Sequence, residues 1–285
     1  MRDWQGHLRE ALQSPVQVLR VEALSGGDIA EAVKIETSRG SFFGKSHPSL
    51  DFGVEAESLR MLKASGTSLC IPEVLGAGHG WLLLEFVPRG RPGPGYDEAL
   101  GRGLAELHAR KSDRFGFPFD TTCGATQQPN PREEEWATFY REHRIRHQLD
   151  LLFDRGRIGS KEARPIEVVL DRIEDWVGPA CEPALIHGDL WSGNVYANEH
   201  GQPTLIDPAA YYAHPEAELG MMTLFGGFPE RTYRAYESHS DVAVDWRDRN
   251  ELYRLYHLMN HANLFGGSYV SAAVDCAKRC ISSFG

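Results

Sequence analysis

The sequence predicts an α+β fold in two lobes, a small antiparallel sheet followed by a larger, mainly helical part. Three observations carry that expectation. β-rich segments separated by glycine turns fill the first third of the chain; the run Pro88-Arg89-Gly90-Arg91-Pro92-Gly93-Pro94-Gly95 then interrupts regular structure; and nearly everything after Tyr96 has helical character. At 285 residues the chain can bury a core large enough for two lobes. The expected division is 1–87 for the N-lobe, 88–95 for the connection and 96–285 for the C-lobe.

Composition narrows the class. Hydrophobic residues at 41% and charged residues at 25% describe an ordinary folded, soluble protein. A net charge of -10 argues against a nucleic-acid binder, whose footprint would be basic. The segment Met1-Arg2-Asp3-Trp4-Gln5-Gly6-His7 lacks the apolar core of a signal peptide, and no apolar run approaches the roughly 18 residues of a membrane helix. A cytoplasmic protein with no membrane partner is expected. Cys70, Cys123, Cys181, Cys276 and Cys280 are odd in number and scattered, which fits reduced thiols better than a disulfide framework. Oligomeric state leaves no trace in the pattern.

Taken in order, a short first helix precedes three strands, Val16 to Leu24, Ile29 to Thr37 and Ser41 to Lys45, separated by Gly26-Gly27 and Arg39-Gly40. Gly26 and Gly27 would let the backbone approach phosphates, or simply turn a hairpin; the segment is not G-x-G-x-x-G, and both readings stay open. Asp51 is placed to cap a helix running to about Ala64, on which Phe52, Glu55, Leu59 and Leu62 share one stripe. Glu55 therefore points inward, with Glu57 about 200° away toward solvent. A buried carboxylate needs a cation, and Lys45 is the candidate. Trp81 to Val87 reads as a buried strand. Helices follow at Asp97–Ala109, Pro131–Phe153, Arg164–Val177, Ala217–Phe225, Glu230–Glu237, Trp246–Ala262 and Ser268–Ser282.

The chemistry is concentrated in Ile186-His187-Gly188-Asp189-Leu190-Trp191-Ser192-Gly193-Asn194, followed after a short apolar run by Asp207. This is the spacing by which kinase-type phosphotransferases place one base and two metal ligands around nucleotide phosphates. Phosphoryl transfer needs positioning and charge neutralisation more than covalent chemistry. Lys45, held by Glu55, would reach the phosphates; Asn194 and Asp207 offer hard oxygens suited to Mg2+; Asp189 would accept the hydrogen bond of an acceptor hydroxyl. His187 is expected to be structural. Backbone groups of Glu85, Phe86 and Val87 would meet an adenine ring, an assignment that rests on architecture alone. The expected cofactors are ATP and Mg2+.

Beyond this generic plan, the residues His187 to Val195, Asp207-Pro208-Ala209 and Leu224-Phe225-Gly226-Gly227-Phe228-Pro229 resemble the fructosamine kinase (ketosamine-3-kinase) family. So do Phe115-Gly116-Phe117 with Gln128-Pro129-Asn130, and Tyr256 to His261 with Asn263-Leu264-Phe265-Gly266, so the likeness runs from about Leu24 to Tyr269. The Trp191 motif and the Phe-Gly-Gly-Phe-Pro segment are the specific parts; aminoglycoside and choline kinases share only the Asp, Asn and Asp framework. The resemblance implies a protein-kinase-like fold and ATP-dependent phosphorylation of the 3-hydroxyl of sugar adducts on amines, free or protein-bound, a form of deglycation repair. It also implies that Asp189 is the base, Asn194 and Asp207 the metal ligands, Lys45 and Glu55 the lysine-glutamate pair, and Trp191 and His261 residues lining the sugar pocket.

Physical reading agrees for Trp191, whose ring can stack on a sugar and attract an ammonium, with core packing as the alternative. For His261 the alternative is helix capping. Glu216 and Glu218 would favour a cationic substrate or simply begin a solvated helix. Two positions depart from the family pattern. Asp28 stands where a cysteine is often found, so oxidation should have little effect, with Cys123 the expected exception; Gly44 replaces an apolar residue before Lys45 and is expected to loosen that strand. Competing readings are a kinase of another small molecule, such as an aminoglycoside or choline-like alcohol, and a nucleotide-binding scaffold without activity. The complete set Lys45, Glu55, Asp189, Asn194 and Asp207 argues against the scaffold.

Overall fold

The computed structural model describes residues 3–24 and 30–285. Its first part is an antiparallel sheet in the order β1-β2-β3-β4, formed by β1 (Val18–Leu24), β2 (Glu31–Thr37), β3 (Gly40–Asp51) and β4 (Val74–Glu85). Helix α1 (Trp4–Leu12) precedes the sheet and α2 (Gly53–Ala64) joins β3 to β4. The small antiparallel lobe and the helical lobe after it match the expected fold class. Two strands are longer than the sequence suggests: β4 begins at Val74, and β3 runs on to Asp51, which pairs with His79 of β4.

Two cores result from the two faces of this sheet. Trp4 and Leu8 of α1 pack with Ile35 and Leu83 on one face. On the other, Leu82 and Leu84 join Leu59 and Leu62 of α2 in the main core, which continues into the helical lobe. Gly44 belongs to the first face: a Cβ there would stand 2.8 Å from the Trp4 ring and 2.9 Å from both Ile35 and Val33. The missing side chain makes room for the indole, so Gly44 tightens this packing and does not loosen the strand. Asp51 is not the cap expected of it: it ends β3, the N-cap of α2 is Phe52, and the Asp51 carboxylate accepts from Gly53 N–H at 2.9 Å in a local turn.

The second part opens with α3 (Tyr96–His108) and the small hairpin β5 (Thr121–Cys123) and β6 (Thr126–Gln128). Then come α4 (Trp136–Tyr140), a π-helical segment at Arg141–Arg146, α5 (His147–Asp154) and α6 (Ser160–Trp176). The chain thus reaches its helix only at Trp136, because Glu133 is first held in a bridge to Phe115. α6 starts one turn before the expected Arg164, where Glu162 accepts from Gly159 N–H at 3.1 Å.

Short strands then frame the centre of the molecule. β7 (Ala184–Ile186) pairs with β10 (Tyr211–Ala213), and β8 (Val195–Ala197) with β9 (Pro203–Leu205). Helices α7 (Glu216–Leu224), α8 (Glu230–Glu237), α9 (Asn250–Phe265) and α10 (Ser268–Phe284) complete the fold. Backbone bonds tie the two parts: Cys70 N–H donates to Pro203 O and Leu205 N–H to Cys70 O, both at 2.9 Å. No described helix is long and apolar enough to cross a membrane.

Candidate active site

Strand ends and one loop bring the polar residues together. Lys45 lies on β3 and Glu55 on α2; its ammonium sits 3.0 and 2.9 Å from the two carboxylate oxygens of Glu55. The same nitrogen reaches Asp207 Oδ1 at 3.0 Å, across 162 residues of chain. Burial opposes the lysine's charge, but Glu55 and Asp207 outweigh it and hold its pKa above the ordinary value.

Loop 187–194 leaves β7 and folds back on itself. Asn194 Nδ2 donates to the backbone oxygen of Asp189 at 2.8 Å and to its Oδ2 at 3.1 Å. That orientation leaves the amide oxygen, a hard ligand, as the atom Asn194 has to offer. Burial, with Glu218 and Asp207 adding to it, pushes Asp189 up to about 8. A carboxylate raised in this way is, once ionised, a stronger proton acceptor than an ordinary one. Asp207 adopts a left-handed backbone, φ 54°, which turns the chain after β9. Gly188 also has positive φ, 83°, and a Cβ there would stand 2.1 Å from Ala209 O.

His187 is structural in its contacts. Its Nε2–H donates to Ile206 O at 2.8 Å and its Nδ1 accepts from Asp189 N–H at 3.3 Å. The ring therefore clamps the loop to the residue before Asp207, and burial keeps it neutral. Glu218 has a role other than the two the sequence suggested. Fully buried, it accepts from the backbone N–H of both His187 and Gly188. Glu216 is buried as well and forms two bonds to Arg249, at 2.7 and 2.8 Å. Neither carboxylate faces a substrate, and neither belongs to a solvated helix start.

Arg144 was missed by sequence reasoning. It is fully buried, donating to Pro129 O at 2.7 Å and to Asn130 Oδ1 at 2.6 Å, with its guanidinium 4.0 Å from the centre of the Tyr211 ring. Gln128 Nε2 donates to Ala209 O at 3.1 Å and Gln128 Oε1 accepts from Tyr256 at 2.6 Å. This network supports the Asp207–Ala209 turn from beneath. Among the charged residues Arg141 to Arg146, no local pattern marks this arginine as the buried one.

The aromatic residues lie at the surface. Trp191 is 39% exposed, which excludes core packing. Its indole covers Gly193, where a Cβ would stand 2.2 Å from the ring. Gly227 packs on Ser192, and Phe225 of the same segment meets the His261 ring at 5.1 Å. His261 donates through Nδ1 to His257 O at 2.8 Å and contacts Tyr269 and Phe265.

Several expected contacts are placed less directly. Gly26, Gly27 and Asp28 lie outside the described residues. Glu85 N–H donates to Glu73 O at 2.8 Å, and the Val87 carbonyl accepts from Tyr196 at 3.0 Å, so these two backbone groups already have partners. The Phe86 ring lies under the Lys34 ammonium at 5.2 Å. All five cysteines are free, and burial pushes the Cys123 thiol well up, which disfavours its oxidation.

The lobes and this cluster define a kinase-type phosphotransferase. Among solved structures, an aminoglycoside phosphotransferase shares the fold alone, covering 98% of this chain and 98% of its own with a TM-score of 0.64 at 18% identity. A structure from Thermobifida fusca assigned as a fructosamine-3-kinase reaches a TM-score of 0.90 at 31% identity, covering 98% of this chain and 99% of its own. The family model for fructosamine kinase matches residues 1–283. A probable ketoamine kinase of Synechocystis sp. is 37% identical over 98% of this chain and 97% of its own length. A chloroplastic protein-ribulosamine 3-kinase of Oryza sativa subsp. indica is 38% identical over 91% and 78%. The chain belongs to the fructosamine kinase family. It is an ATP-dependent phosphotransferase with an alcohol group as acceptor.

Proposed function

We propose that the protein transfers the γ-phosphoryl group of ATP to the 3-hydroxyl of a ketosamine, a fructosamine or ribulosamine adduct, free or protein-bound. The phosphorylated adduct would then break down and release the amine. The observation that carries the reading is one cleft in which Lys45, Glu55 and Asp207 meet across the lobes while an exposed Trp191 stands between Asp189 and Asn194 in the adjoining loop.

In this reading residues 1–87 hold the nucleotide, 88–95 connect the lobes and 96–285 carry the acceptor. Lys45, held by Glu55, neutralises phosphate charge. Gly26 and Gly27 approach the phosphates, and the segment Glu85-Phe86-Val87 meets the adenine with the backbone groups not engaged by Glu73 and Tyr196. Asn194 and Asp207 fit Mg2+, since both offer hard oxygens and the Asn194 amide is already turned by Asp189. When bound, that ion would neutralise charge on the transferring phosphate. Asp189 orients the acceptor hydroxyl and takes its proton as the oxygen attacks phosphorus and ADP leaves. Trp191 and His261 contact the sugar and its amine. Five free cysteines accord with a reducing, cytoplasmic setting.

The test is ATP consumption by the purified protein over a panel of ketosamines, aminoglycosides and choline. Turnover of ketosamines is expected, and preferential turnover of an aminoglycoside or choline would overturn the assignment. Within the panel, Trp191→Ala should raise the ketosamine KM roughly 5–30-fold while ATP affinity is retained, as loss of 1–2 kcal/mol of stacking implies. Normal kinetics in a less stable protein would count against stacking.

A further inference from the structure

Around Asp189 a second group of side chains converges. Cys123 closes β5, His257 lies on α9, and Asp189 comes from the loop; one ligand atom of each lies within 4.8 Å of the other two. Among the described residues this is the one set of three His, Cys, Asp or Glu side chains so arranged. Cys123 and His257 are 3% and 4% exposed. His257 Nδ1 is buried with no hydrogen-bond partner, a state that leaves the desolvation cost of the nitrogen uncompensated. Neither residue belongs to the set Lys45, Glu55, Asp189, Asn194 and Asp207.

The ligand types decide what could occupy such a place. A thiolate and an imidazole are borderline-soft donors that suit Zn2+ and its analogues, whereas Mg2+ takes oxygen ligands. Tetrahedral zinc with bonds of about 2.0–2.3 Å holds its ligand atoms roughly 3.3–3.8 Å apart, so closing the trio needs shifts of roughly 1 Å. Asp189 is the partly exposed member, so an ion would enter from the cleft and keep its fourth position open there.

We propose that Cys123, Asp189 and His257 form an inhibitory site for a thiophilic divalent cation such as Zn2+, separate from the Mg2+ position at Asn194 and Asp207. On binding, the Cys123 thiol releases its proton to solvent and the thiolate, the neutral imidazole and the carboxylate coordinate the ion. Asp189 is then withdrawn from the acceptor hydroxyl and turnover stops. The binding depends on geometry alone; the inhibition rests on Asp189 acting as the base.

The experiment titrates the full chain, without nucleotide, with Co2+ or Cd2+ and follows the thiolate-to-metal charge-transfer absorption, then repeats it on Cys123→Ser and His257→Gln. One equivalent with a strong band is expected for the wild type, displaced by Zn2+, with affinity at least tenfold weaker in either variant. In the presence of saturating Mg2+ and ATP, Zn2+ should inhibit competitively with the acceptor, and both variants should resist it at least tenfold. A band that survives in both variants, or that disappears instead in Cys276→Ser, overturns the site. Zinc inhibition relieved by raising Mg2+ also overturns it, because the ion would then sit on Asn194 and Asp207. Should Cys123→Ser fail to fold, His257→Gln decides. Because the absorption needs no substrate, failure to turn over ketosamines would sink the proposed function and leave this result standing.

Discussion

The carboxylates at the start of α7 and those of the cleft are balanced in opposite ways. Glu216 takes two bonds from the Arg249 guanidinium, which also reaches the exposed Asp245, and Glu218 has two backbone donors, so each buried charge is satisfied where it lies. In the cleft, Glu55 and Asp207 share the single ammonium of Lys45, and among the described residues Asp189 has only the Asn194 side-chain amide as a donor to its carboxylate. The excess of negative charge there is a standing demand for a cation and for a proton. Balanced carboxylates hold the backbone still; unbalanced ones are available for chemistry.

The largest expected effect breaks the cleft side. Asp189→Asn should lower kcat by a factor of about 10²–10⁴, the usual worth of a general base, while leaving ATP binding nearly intact. Activity within threefold of wild type would remove Asp189 from the role. Next, Lys45→Met and Glu55→Gln should each reduce kcat/KM by a large factor, and the double variant should be little worse than Lys45→Met alone, because the two act as one unit. Fully additive losses would show that the pair observed here is not used in turnover.

The α7 side should respond in stability instead. Glu216→Gln leaves the Arg249 guanidinium buried with only the exposed Asp245 carboxylate as a charged partner, and should cost about 3 kcal/mol in denaturant unfolding. The folded fraction should keep normal kcat and KM; a catalytic defect without a stability loss would erase the distinction between the two regions. His214, whose Nδ1 accepts from Glu216 N–H at 3.2 Å, sharpens it through pH. Burial pushes this histidine down to about 4, so the unfolded chain binds its proton first. Stability contributed by the neutral ring is complete above the unfolded value near 6.5 and is lost as pH falls toward 4, by about 3 kcal/mol. Unfolding free energies measured between pH 7 and 4 should show this slope, and His214→Gln should reduce it by about one proton. An unchanged slope would assign the acid sensitivity elsewhere.

Much of the cleft was legible because its residues are spaced along short stretches of chain. Asp189 and Asn194 lie in one loop, and the helical stripe that turned Glu55 inward demanded a cation and pointed to Lys45. The second carboxylate partner of Lys45 could not be read this way, since Asp207 reaches it across the two lobes. Glu216 and Glu218 misled for a related reason: acidic residues at a helix start ordinarily face water, and only packing against α9's preceding turn and the loop after β7 buries them. Gly44 misled because a glycine in a strand normally weakens it, whereas here it faces an indole from another element.

The sequence by itself determined the class of chemistry, the family and the succession of lobes, because motif spacing and the periodicity of apolar residues are local properties of the chain. Only the tertiary structure decided which carboxylates are spent on holding the loop, that Gln128 supports the turn at Ala209, and that Cys123 and His257 stand beside Asp189. Those outcomes depend on which buried groups find partners, and the partners come from segments far apart in the chain, where no local pattern links them.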